Sequence, residues 1–162
     1  DSTALIIGEG QDRQHFEQLA KSLGIGEQVT FTGWVEPERV PAHLAAADVF
    51  VGPSRKASGG WVEAQGLTFI EAMIARTPVI ATRTGGIEDS VKDGVTGILV
   101  DERAPEQIAQ GIRKLVDDTA FTARLIETAH VFANEHFSRA ASAKAFSALF
   151  ARISAQRTEA SA

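Results

Sequence analysis

Leu67-Thr68-Phe69-Ile70-Glu71-Ala72-Met73-Ile74-Ala75-Arg76-Thr77-Pro78-Val79-Ile80-Ala81 holds two periods side by side. Leu67, Ile70 and Ile74 recur at helical spacing, whereas Val79, Ile80 and Ala81 run apolar without interruption. So short a run, closed by Thr82, suits a strand covered on both faces rather than a buried helix. A helix leading into such a strand is one step of a parallel crossover. Similar runs stand at residues 4–7, 29–32, 49–51 and 98–100, and each is expected to be a buried strand. Between them, Phe16, Leu19, Ala20 and Leu23 mark one helical face, and Ile108, Ile112, Leu115 and Val116 another, with Pro105 in its first turn. A helix is expected to open near Pro37 or, for its regular part, at Pro41, and a short one over residues 86–92. The alternation predicts an α/β fold, a doubly wound parallel sheet whose strand-to-helix loops carry function.

After Val100 the strands stop. Phe121, Leu125, Ala129 and Phe132 predict one extra helix, and Phe146, Leu149, Phe150 and Ile153 a last one whose narrow apolar stripe needs a partner surface. The tail, residues 157–162, reads as frayed. The chain has 162 residues, 16 basic and 21 acidic, for a net charge of −5, and 44% are hydrophobic. That is a globular composition, with no basic face for a nucleic acid. No run is long enough to span a membrane, and residues 1–3 lack a signal peptide's pattern. With no cysteine there is no disulfide, thiolate nucleophile or zinc-thiolate site. A cytoplasmic location fits that reducing chemistry.

Gly8-Glu9-Gly10 follows the first strand like part of a dinucleotide fingerprint, but Arg13 stands where the third glycine would be. No acid closes the second strand to take a ribose, so the segment reads as a tight turn. The segment from Glu63 through Gly66 to Glu71 is richer. Glu71 falls in step with Leu67, Ile70 and Ile74, where a core aliphatic is expected, so its carboxylate needs partners. A structural acid bonded to neighbouring amides satisfies that need as well as a ligand does. Glu63 lies eight positions earlier, and Gly66 at the helix entrance lets backbone approach a ligand whose phosphate suits the first-turn amides. Two acids flanking bare amides suit a sugar joined to a phosphate.

The stretch EAQGLTFIEAM, residues 63–73, resembles the E-x7-E signature of the large retaining glycosyltransferase family built on two facing Rossmann-like domains, the GT-B fold. LIIGEG (5–10), VTFTG (29–33), AADVFVGPS (46–54) and TPVIATRTGGIEDSVKDGVTGILV (77–100) agree in order, so the resemblance covers roughly residues 3–118. It implies a C-terminal, donor-binding domain at residues 1–135, lacking its usual first strand, then a C-terminal helix and frayed tail at 136–162. Glu63 would be the catalytic-site acid on the donor sugar. Gly66, Leu67 and Thr68 would hold the distal phosphate, Glu71 the ribose, and Val35, beside Trp34, the nucleobase. Gly85-Gly86 would shape a loop.

The implied reaction moves a sugar from a nucleoside-diphosphate sugar to an acceptor hydroxyl with retention, and needs no metal. Asp-x-Asp, the metal signature of the other main transferase fold, is absent, and His15, His43, His130 and His136 show no ligand-like pairing. The family's upstream strand and loop, which bring an Arg and a Lys to the diphosphate, do not precede LIIGEG here; Arg55, Lys56 and Arg83 are the nearby cations. The expectation is therefore a nucleotide-sugar binder without its N-terminal acceptor domain, inactive in isolation, with two strand edges left for a strand swap or homodimer. Peripheral membrane contact would depend on the absent half. A non-catalytic nucleotide-binding or interaction module is the alternative; an epimerase, a phosphorylase and a flavodoxin-like receiver fit the segments less well. Neither sugar, base nor acceptor is readable.

Overall fold

The computed structural model describes residues 2–159, which form two compact units divided between His43 and Leu44. The first unit begins with β1 (Ala4–Ile7), α1 (Arg13–Ser22), a 3-10 turn and β2 (Val29–Gly33). A second 3-10 turn at Pro37–Arg39 leads into α2 (Val40–Ala46), so the regular helix starts one residue before Pro41. β1 and β2 pair in parallel, from Ala4 opposite Val29 to Ile6 opposite Phe31.

β1 is not the buried strand expected from its composition. Leu5, Ile6 and Ile7 are all exposed, and so are Phe16, Leu19 and Leu23 on the apolar face of α1, where only Ala20 is buried. The apolar run selects a strand, but a strand with one neighbour and little beneath it keeps half its surface in water.

The second unit contains β3 (Phe50–Gly52), α3 (Leu67–Ile74), β4 (Val79–Thr82), α4 (Ile87–Ser90), β5 (Ile98–Val100), α5 (Pro105–Asp117), α6 (Thr119–Phe137) and α7 (Arg139–Glu159). Its sheet is parallel, in the order β3-β4-β5. Among the described residues the five strands therefore divide into two sheets, and only β4 pairs along both sides; β1 and β3, like β2 and β5, each keep one edge unpaired.

Register explains why β4 reads as continuously apolar. Val51, Ile80 and Ile98 form one cross-strand row. Ile80 clusters with Leu115, and Val49, Val51, Ile108, Ile112 and Phe121 pack around them, so this face carries α5. The alternate residues face the other way: Phe50 meets Phe69 of α3 edge-on, with ring centroids 5.6 Å apart, and Gly52 lies beneath that ring. Helices thus cover both faces, as the doubly wound reading requires.

α3 also packs on α6, whose N-terminus is capped by Asp118 accepting the N–H of Phe121 at 2.9 Å. α7 continues helical through Glu159, beyond the point where fraying was expected; residues 160–162 lie outside the described part. Its stripe faces solvent, with Phe146 and Phe150 more than half exposed. No helix among the described residues is long and apolar enough to cross a membrane.

Candidate functional site

Residues 53–66 connect β3 to α3, and two neighbouring segments hold this loop in place. Near its start, Thr82 donates to the Ser54 carbonyl, and Glu102 accepts the Lys56 N–H at 3.2 Å. The Thr84 hydroxyl is the main influence that holds the Glu102 carboxyl below its ordinary range; the Lys56 N–H and the charges of Arg103 and Lys56 add to it. Within the loop Ala57 donates to the Trp61 carbonyl at 2.9 Å, closing a small turn.

At the far end the chain turns sharply into α3. Gly66 stands at the N-cap with φ 68°, in the left-handed region, and Phe69 donates to its carbonyl at 3.0 Å. A Cβ on Gly66 would collide with the Phe69 ring, the same ring that covers Gly52. Gly66 therefore has a packing reason of its own, besides the close ligand approach inferred from sequence.

Glu63 is half-buried, and its Oε1 accepts the Gly66 N–H at 3.0 Å and the Gln65 N–H at 3.4 Å. The carboxylate thus sits on the helix mouth, on one of the amides assigned to the phosphate. The next two amides, of Leu67 and Thr68, find no acceptor among the described residues, so two first-turn donors stay open to an anion. Glu63, Gly66, Leu67 and Thr68 lie together at this helix mouth, with the Gly66 amide taken by Glu63 rather than left bare.

Glu71 corrects the sequence reading of its surroundings. The buried stripe of α3 is Phe69, Ile70, Ala72 and Met73, with Gly66 one turn earlier. Leu67, Glu71 and Ile74 share the opposite, exposed face. The error came from grouping Ile70 with Leu67 and Ile74 on one face; a helix with apolar residues on both faces does not reveal which one is covered. Glu71 needs no buried partner, and its carboxylate has none among the described residues. Val35 belongs to the other unit, half-buried two residues after Gly33, with Trp34 exposed between them.

The nearby cations differ in their freedom. Arg83 is engaged, donating to Asp93 at 2.6 Å and lying 3.8 Å from Glu88, so it is not a spare phosphate ligand. Arg55 and Lys56 make no ion pair among the described residues. In the first unit Arg13 bridges Glu9 and Glu17, which occupies the Gly8-Glu9-Gly10 turn with an ion-pair network.

Around Glu63, Gly86 fills the loop-shaping role expected of it, whereas Ser90 went unrecognised in the sequence. Gly86 donates its N–H to the Glu63 carbonyl at 2.9 Å, and the fully buried Ser90 hydroxyl reaches the Gln65 carbonyl at 3.2 Å. The available signal was a serine inside the apolar pattern of Ile87 and Val91.

The model for glycosyl transferases group 1 matches residues 1–132. A GDP-mannose-dependent alpha-(1-6)-phosphatidylinositol monomannoside mannosyltransferase of Mycobacterium tuberculosis is 40% identical over 120 residues, 73% of this chain and 31% of that protein. Anabaena HepE, solved in complex with UDP-glucose, is 28% identical with a TM-score of 0.75, over 84% of this chain and 37% of that one. The C-terminal domain of LpcC, a glycosyl transferase group 1 family protein of Francisella tularensis, is 26% identical with a TM-score of 0.72, over 85% of this chain and 70% of that one. The chain thus spans about a third of the length of the curated relatives it matches.

Proposed function

Since the chain belongs to the glycosyl transferases, group 1, a GT-B family, we propose that it is the donor-binding half of a retaining enzyme that moves a sugar from a nucleoside-diphosphate sugar to an acceptor hydroxyl. One observation carries the reading: two open amides, of Leu67 and Thr68, lie at a helix mouth between the Glu63 carboxylate and the exposed, unpaired Glu71 carboxylate. Amides take phosphoryl oxygens and carboxylates take hydroxyls, so the order along the chain matches sugar, phosphate and ribose.

In this reading Glu63 leaves Gly66 to receive donor-sugar hydroxyls, freeing a third amide for the distal phosphate. Glu71 takes the ribose; the base contact expected at Val35 falls in the other unit. The main barrier is the charge that develops on the departing diphosphate; one well-aimed N–H donor at such a charge is worth roughly 3–4 kcal/mol. The amides supply that stabilisation without a metal. Residues 1–135 would form the nucleotide-sugar-binding part and 136–162 the C-terminal helical part, with the acceptor-binding half outside these 162 residues. The unpaired edges of β1 and β3 would then be covered by another segment or by a second copy. The lack of cysteine agrees with a cytoplasmic setting, and membrane contact, if peripheral, would come through the acceptor half.

Glu71→Ala tests the assignment, because an exposed side chain can be removed with a stability change within about 0.5 kcal/mol. Calorimetric titration with UDP, GDP and ADP should show at least about tenfold weaker binding of the preferred nucleotide, the loss of hydrogen bonds to a charged group. Unchanged binding, or no binding by the parent chain, would favour the non-catalytic module instead. A second expectation is that the purified 162-residue chain transfers no sugar. Product formed from UDP-glucose or GDP-mannose by this chain alone would refute it.

A further inference from the structure

The backbone of residues 63–65 lies directly on residues 85–90. Besides the Gly86 N–H on the Glu63 carbonyl, the Ser90 hydroxyl shares its one proton between the Gln65 carbonyl at 3.2 Å and the Ile87 carbonyl at 3.1 Å. A Cβ on Gly85 would overlap the Glu63 carbonyl oxygen, and one on Gly86 that of Ala64. The contact is therefore backbone against backbone, with nothing flexible between the two segments. The supporting segment is itself fixed. Ile87, Ser90 and Val91 are fully buried, and Thr96 donates to the Ser90 carbonyl at 3.2 Å while accepting the Lys92 N–H at 2.8 Å.

We propose that Ser90 and Gly86, which need touch no ligand, are positioning residues for Glu63. Together they set where its carboxylate stands over the α3 mouth, and so how well the site distinguishes a nucleotide sugar from a bare nucleoside diphosphate. The inference rests on the donor-site reading above for its functional consequence, while its structural half stands on the hydrogen bonds alone. Phosphate and ribose would be gripped by α3 itself, through Leu67, Thr68 and Glu71. The sugar-binding acid would depend on a loop whose carbonyls are anchored from outside. Disturbing the anchor should then affect the sugar and spare the nucleotide.

Two measurements on the 162-residue chain separate the parts. Without any ligand, the Gly66 amide proton shift reports the Glu63 carboxylate, and Glu63→Ala supplies its unbonded reference. Ser90→Ala should move the shift toward that reference, with Ser90→Cys, which keeps nearly the same volume and weakens the bond, as a second variant should Ser90→Ala fail to fold. An unmoved Gly66 shift in a folded variant overturns the proposal, whatever the chain binds. With ligands, Ser90→Ala should weaken UDP-glucose or GDP-mannose binding about fivefold and leave UDP or GDP within about twofold, the scale of one hydrogen bond. In a Glu63→Ala background the Ser90→Ala effect should vanish, as expected of residues acting through one another. Equal losses for sugar nucleotide and nucleotide, or a persisting effect in that background, mean a merely structural serine and overturn the proposal. A parent chain that binds neither ligand defeats the donor-site reading, and the Gly66 shift then still decides the positioning.

Discussion

Ile80→Ala is expected to cost the second unit about 3–5 kcal/mol, the upper part of the range for truncating a buried aliphatic residue. Ile80 is fully buried at the centre of the Val51–Ile80–Ile98 row, beneath α5. The helix approaches so closely there that a Cβ built on Gly111 would lie 3.0 Å from Ile80 Cδ1. The surrounding backbone is already in contact, so it cannot collapse far into the space left by the truncation, and the cavity contribution adds to the lost transfer energy. Urea unfolding followed by circular dichroism should show a lower midpoint with an unchanged slope. Ile112→Ala, on the half-buried rim of the same cluster, should cost clearly less. A loss below about 1 kcal/mol for Ile80 would mean that the β4–α5 face is not where this unit keeps its stability.

The sequence could foretell that row because a strand covered on both faces leaves a uniform apolar signature, and Val79, Ile80 and Ala81 have it. It could not foretell that residues 4–7, with the same signature, would be exposed. Composition records what a strand can tolerate burying, whereas burial depends on what packs over it: β5 has one strand neighbour, as β1 has, but its Val100 clusters with Leu115 of α5. The site was readable in the same uneven way. Glu63, Gly66, Leu67 and Thr68 fall within six consecutive residues, so local geometry places them together whatever the fold does. Glu71 was assigned the right helix and the wrong environment, because α3 carries apolar side chains on its exposed face as well. Ser90 was missed, and Gly86 was read only as shaping a loop, because their partners are the backbone carbonyls of residues 25 and 23 positions away, and a carbonyl has no letter in a sequence.

Gly66→Ala is expected to be nearly as damaging, at about 2–5 kcal/mol, the sum of a left-handed conformation imposed on a residue with a Cβ and of overpacking. The two causes can be told apart. Asn tolerates φ 68° better than Ala, but its Cβ meets the same Phe69 ring, so Gly66→Asn should recover little. Phe69→Leu removes the obstacle and leaves the conformation unchanged. In a double-mutant cycle by urea unfolding, Gly66→Ala and Phe69→Leu should therefore be coupled, the pair costing about 1–3 kcal/mol less than the separate losses together. Additivity within about 0.5 kcal/mol would show that the ring is not the constraint and that backbone strain accounts for the whole loss. If the coupled pair folds and still binds UDP or GDP as the parent does, glycine at this position serves the Phe69 packing. If it folds and does not bind, the added side chain has moved the first-turn amides out of the geometry an anion needs, because the space a Cβ would take lies against the buried residue 69 and not in a ligand's path.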